Sequence, residues 1–149
     1  MPTLFDPADR DALLARLDRL EAATPRQWGS MTPAQALAHC AVPLESVTGL
    51  HPMRQRLIGK LLAWLVKGKV LGDQPFGRDS PTDKDFVVKD DRDLDAERGR
   101  VKELVARFAE RGPGKAAEAE HAFFGRLSGE EWGRLMAKHL DHHLRQFGV

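Results

Sequence analysis

Apolar positions recur at helical spacing in several separate stretches of the chain. Leu13, Leu14, Leu17 and Leu20 stand three or four residues apart among charged neighbours, the one-sided pattern of an amphipathic helix. Asp6-Pro7 starts it with a capping residue and a proline at the first helical position, and Pro25 lies beyond its end. Thr32-Pro33-Ala34-Gln35 is a capping box that opens a second helix with the stripe Ala36, Leu37, Cys40, Leu44 and Val47. Pro43 falls inside that pattern and is expected to kink the helix or end it.

A third stretch, about 52–70, puts Leu57, Ile58, Leu61, Leu62, Trp64 and Leu65 on one broad face, with five basic residues and no acid. Its apolar face is expected to be core or a dimer interface, with solvated lysines; docking on a membrane surface or a partner helix is the alternative. Residues 72–92 then lose the periodicity and form a long loop, the kind that is usually functional or disordered. Leu94, Val101, Leu104, Val105 and Phe108 mark a fourth helix that Gly112-Pro113-Gly114 is expected to close. A connecting loop holds His121-Ala122-Phe123-Phe124-Gly125. Ser128 with Glu131 caps the last helix, which runs to about Phe147. The expected fold is all-α: an up-and-down four-helix bundle with an extra helical segment and a long loop, as one domain over 1–149.

Composition narrows the class. The 149 residues are 42% hydrophobic and 30% charged with no tyrosine, which suits a globular helical domain. Net charge is +1, so no strong attraction for nucleic acid is expected. Cys40 is the only cysteine, which rules out an internal disulfide and fits a reducing compartment. The start of the chain has neither the basic nor the apolar region of a signal peptide, and the longest apolar run, 61–66, cannot span a bilayer. A cytoplasmic protein with no membrane partner is expected.

The chemistry lies in the histidines. Three of six fall in 139–143, and His139 and His143 are four apart on one helix face. Trp132, Met136, Leu140 and Phe147 share that face, so both imidazoles point toward the bundle interior. A single histidine there is usually a hydrogen-bonded core residue. Two facing into one core are costly without partners, and together they make a bidentate grip for a metal ion. Catalytic zinc sites commonly take three protein ligands; His39, beside the second helix's apolar stripe, is the best third candidate. His51 and His121 are surface alternatives, and His121, next to two phenylalanines, is a candidate to line the site. Gln146 falls near the ligand arc as a candidate to orient a ligand. There is no HExxH, no glycine-rich phosphate loop and no G-x-S-x-G elbow. Cys40 should point away from His39 and reads as a small buried apolar residue.

The run Trp28-Gly29-Ser30-Met31-Thr32-Pro33-Ala34-Gln35-Ala36-Leu37-Ala38-His39-Cys40 resembles the second-helix signature of the DinB/YfiT-like superfamily, and 139–146 its last-helix motif. Residues 121–127 with 138–148 look more closely like a bacterial branch known as a domain of unknown function. The resemblance spans nearly the whole chain. It departs where many relatives continue His-His-Arg-Gly-Gln and this chain has His142-His143-Leu144-Arg145-Gln146, and 51–92 has no clear counterpart. It implies three metal ligands, His39, His139 and His143, near one end of a bundle that is often dimeric, with chemistry such as small-thiol S-transfer. One divalent metal is expected, zinc or nickel first and iron or manganese next, with a low-molecular-weight thiol as cofactor, a small-molecule substrate and a homodimer. The alternatives are a non-catalytic metal-binding bundle and an interaction module.

Overall fold

The computed structural model describes residues 2–78 and 86–149. The elements are α1 (Pro7–Leu17), α2 (Pro33–Val47), α3 (Leu57–Leu71), α4 (Leu94–Ala116), a two-residue hairpin β1 (Glu120–His121) and β2 (Gly125–Arg126), and α5 (Gly129–Gln146). The fold is all-α, as the periodicity predicts.

The caps do what their sequences imply. Asp6 accepts hydrogen bonds from the Ala8 and Asp9 amides at the head of α1. Thr32 with Gln35, and Ser128 with Glu131, form reciprocal capping boxes that start α2 and α5. These caps fix the register of the two helices that carry the histidines.

Helix α2 is the centre of the bundle. It packs on α4 and α5, and twelve of its fifteen residues are buried. Its four alanines keep the backbone within reach of both neighbours. Pro43 does not end α2, contrary to one reading of the sequence; the helix runs on to Val47. Proline cannot donate to the carbonyl four residues back, which is that of His39, and costs a helix about 3 kcal/mol or more. Burial of Leu44 and Val47 beyond it offsets that cost. Likewise α4 does not close at Gly112. The chain turns there with φ of +74°, a conformation open to glycine, and Pro113 starts one more turn to Ala116.

The core joins Leu13 and Leu17 of α1, Leu37, Leu44 and Val47 of α2, Val101, Val105 and Phe108 of α4, and Trp132, Leu140 and Leu144 of α5. Helix α3 is outside it. Only Gly59 and Ala63 are buried on α3, while Trp64 is 75% and Leu57 73% exposed. Of the two expectations for its apolar face, core or dimer interface, the core is therefore overturned. The small side packs instead, because Gly59 sits on the Phe123 backbone so closely that a Cβ would overlap the carbonyl. Lys138 of α5 holds the other end, donating to the Val70 and Gly72 carbonyls at 2.7 and 2.8 Å.

The loop expected around His121 contains the hairpin, with Glu120 opposite Arg126 and His121 opposite Gly125. No helix among the described residues is long and apolar enough to cross a membrane.

Candidate metal centre

Three side chains meet where α2 passes α5. His39 projects from the middle of α2, and His139 and His143 from successive turns of α5. One ligand nitrogen from each lies within 4.8 Å of the others. The ring centroids are 4.8 to 5.0 Å apart and the planes are steeply inclined to one another. His39 and His143 are 3% and 6% exposed, and His139 keeps an edge nearer the surface.

Hydrogen bonds on the outer side of two rings fix which nitrogen faces inward. His39 Nδ1–H donates to the Phe86 carbonyl at 2.7 Å, which leaves its Nε2 lone pair directed into the cluster. His143 Nδ1–H donates to Gln146 Oε1 at 2.9 Å, with the same consequence. The Gln146 amide is itself set by its Nε2, which donates to the Trp28 carbonyl at 3.0 Å. An acceptor on the far ring nitrogen that fixes tautomer and orientation is the usual support of a metal-ligating histidine.

His39 Nε2 and His139 Nε2 are 2.9 Å apart. Two bare lone pairs at that distance repel, so in the metal-free protein His139 carries its proton on Nε2 and donates it to His39. To serve as a ligand, His139 must carry the proton on Nδ1 instead. Metal–nitrogen bonds of about 2.0–2.1 Å need closer spacing than 4.8 Å at the widest pair, an adjustment of about 1 Å in side-chain position.

All three imidazoles are held neutral. Burial lowers the pKa of His39, partly opposed by the Phe86 carbonyl. Burial, then repulsion from His39 and His143, holds His139 well below the ordinary value. Burial, with repulsion from His39, brings His143 down to about 3. Neutral imidazole is the form that binds metal, so protons do not compete for the site near neutrality.

The last part of the long loop closes one side. Gln35 Nε2 is 3.2 Å from both the Lys89 and Asp90 carbonyls and ties that strand of chain to the start of α2. Residues 79–85, the middle of the long loop expected over 72–92, lie outside the described residues. On the other side a cleft of about 430 Å³ is lined by Trp28, Phe76, Arg78, Lys138, His142 and Arg145 among others. The His142 ring is 5.6 Å from both Trp28 and Phe76 and 5.1 Å from His143, so it stands between cleft and cluster.

Compared with known families, the profile described as "Protein of unknown function (DUF1569)" matches residues 5–148. The chain belongs to the DUF1569 family. No curated protein and no solved structure matches it.

In this DUF1569 chain the three histidines singled out in the sequence come together, and Gln146 meets His143 as its position three residues on allows. His51 does not join them: it lies exposed against Glu45 at 3.1 Å. His121 sits in the hairpin, where its Nδ1 accepts from the Phe123 and Phe124 amides and its ring lies 5.5 Å from Trp132. Two contributors had no signal in the sequence. The Phe86 and Trp28 carbonyls are backbone atoms, and any residue supplies one.

Proposed function

We propose that this protein is a divalent-metal-dependent enzyme in which His39, His139 and His143 hold the ion, and that a low-molecular-weight thiol is its co-substrate. The observation that carries the reading is the pair of outer hydrogen bonds, Phe86 to His39 and Gln146 to His143. They turn two Nε2 lone pairs toward a third histidine in a largely buried space, the outer support usual for metal-ligating histidines. The resemblance to the DinB/YfiT-like superfamily supports the same ligands and the thiol.

A divalent ion bound there lowers the pKa of a coordinated water or thiol and so provides a nucleophile at neutral pH. The residues of the chain do the rest. Gln146 and the Phe86 carbonyl keep the ligand rings oriented, and burial excludes bulk water. Trp28, Phe76 and His142 line the adjoining cleft where a small electrophile would sit, with Arg78 over the Trp28 ring and Lys138 over the Phe76 ring.

Depth of burial favours a second reading, in which the ion is structural. His39 and His143 are nearly inaccessible, and an ion there would tie α2 to α5. Elemental mass spectrometry of tag-free protein tests binding first. About one divalent ion per chain is expected, lost in His139→Ala/His143→Ala; no ion in the wild type, even after reconstitution with zinc, nickel, manganese and iron, sinks both readings. Cobalt-substituted protein then separates them. A visible spectrum that changes on adding a small thiol supports the open, catalytic site, and one that does not respond supports the closed, structural one.

A further inference from the structure

The outward face of α3 is a surface that the proposed chemistry does not use. Leu57, Ile58, Leu61, Leu62, Trp64 and Leu65 are all exposed, Leu61 at 61%. Together with Val66 they present on the order of 800 Å² of apolar side chain, above the roughly 300–600 Å² of the largest patch on a typical monomer. At 100° per residue these six span about 160° around the helix axis. The basic residues flank them. Among the described residues Arg54, Lys60 and Lys69 make no ion pair, whereas Lys67 is held by Glu131 at 3.1 Å. From His51 to Gly72 there is no acidic residue.

We propose that α3 docks this protein on an anionic lipid surface, lying in the interface with Leu61 and Leu65 immersed and its free cations against lipid phosphates. The charge selects that occupant over a second copy of the chain. An isologous contact brings a patch against itself, here bases against bases with no acid on either helix. Among the described residues Glu118 pairs with Lys115, Glu120 accepts from the Gln55 amide and Glu131 pairs with Lys67, so these three acids are engaged within the chain. Shape argues the same way. A helix–helix seam covers a stripe of about 100°, narrower than this arc, whereas a fluid interface wraps a protruding helix. From the sequence, docking on a membrane surface or a partner helix is the alternative to core or dimer interface; the exposure of this face removes the core from that choice.

The test is co-sedimentation of the full chain with phosphatidylcholine vesicles, with and without phosphatidylglycerol, at low and high salt. Binding to the anionic vesicles, release by salt and a blue shift of Trp64 emission that is absent in Trp64→Phe are expected. Lys60→Gln/Lys69→Gln should lower partitioning roughly 25-fold, at about fivefold per basic residue. Leu61→Asp/Leu65→Asp should abolish it with the far-UV circular dichroism unchanged, since neither side chain touches the core. No binding to anionic vesicles overturns the proposal, as does equal binding to neutral vesicles that the lysine variant leaves intact. A wild-type dimer that fails to bind vesicles and becomes monomeric in Leu61→Asp/Leu65→Asp would assign the face to a second copy instead.

Discussion

Acidification of the metal-free protein should cost stability well before the carboxylates titrate. In the unfolded chain His139 and His143 titrate near 6.5; folded, His143 is held at about 3 and His139 well below its ordinary value. The folded state therefore binds fewer protons, and stability falls as pH falls. The contribution is complete above about pH 7.5 and declines from about 6.5 downward. At pH 5 an unfolded histidine is almost fully protonated while the buried one is still neutral. That difference is about 2 kcal/mol for His143, and His139 adds to it with the same sign. A domain of this kind holds only about 5–15 kcal/mol in all.

The assay is urea unfolding followed by circular dichroism from pH 7.5 to 5, with chelator present. The expected slope near pH 5.5 is at least about 1.3 kcal/mol per pH unit, the proton of His143, with His139 and His39 adding to it in the same direction. His139→Leu/His143→Leu should reduce it to one proton or fewer, leaving only the contribution of His39. A wild-type change below about 1 kcal/mol across the range would show that these rings can be protonated in place, and the argument from burial would fail.

Three further outcomes follow from the geometry. Gln146→Leu removes the acceptor for His143 Nδ1 and should weaken zinc binding about 10- to 100-fold in a chelator competition; unchanged affinity would show that the amide does not orient the ring. Gly59→Ala should destabilise by about 1–3 kcal/mol in urea, although alanine is the better helix former by about 1 kcal/mol, because its Cβ meets the Phe123 carbonyl. A gain in stability would mean that α3 does not sit on the hairpin. Cys40 is 2% exposed and burial pushes its thiol well above the ordinary range, so a disulfide reagent should label it only after denaturant is added. Rapid labelling of the native protein would contradict its place in the core.

The convergence of the histidines was legible because the caps set the register. Ser128 with Glu131 fixes where α5 begins, and from that start His139 and His143 fall with Trp132, Met136 and Leu140 on the buried face. Thr32 with Gln35 does the same for His39 on α2. Gln146 could be placed for the same reason, three residues from His143 on one helix. The acceptor for His39 could not, because Phe86 lies 47 residues away and contributes a carbonyl whose position depends on the path of a loop.

Helix α3 marks a different limit. Periodicity shows that a helix has a broad apolar side, and the usual inference puts that side inward. Here Gly59 and Ala63 were the informative residues. A bulky side chain holds a helix away from its neighbour, while two small residues a turn apart let the α3 backbone rest directly on the Phe123 carbonyl. Once that side is the contact, the leucines and Trp64 must face outward. The pattern that places Leu37 and Leu44 of α2 in the core is thus the same kind that leaves Leu61 and Leu65 exposed. What distinguishes them is the surroundings: α2 has helices packed on it, whereas among the described residues α3 meets the body of the protein through its small side, the Lys67–Glu131 pair and its C-terminal end.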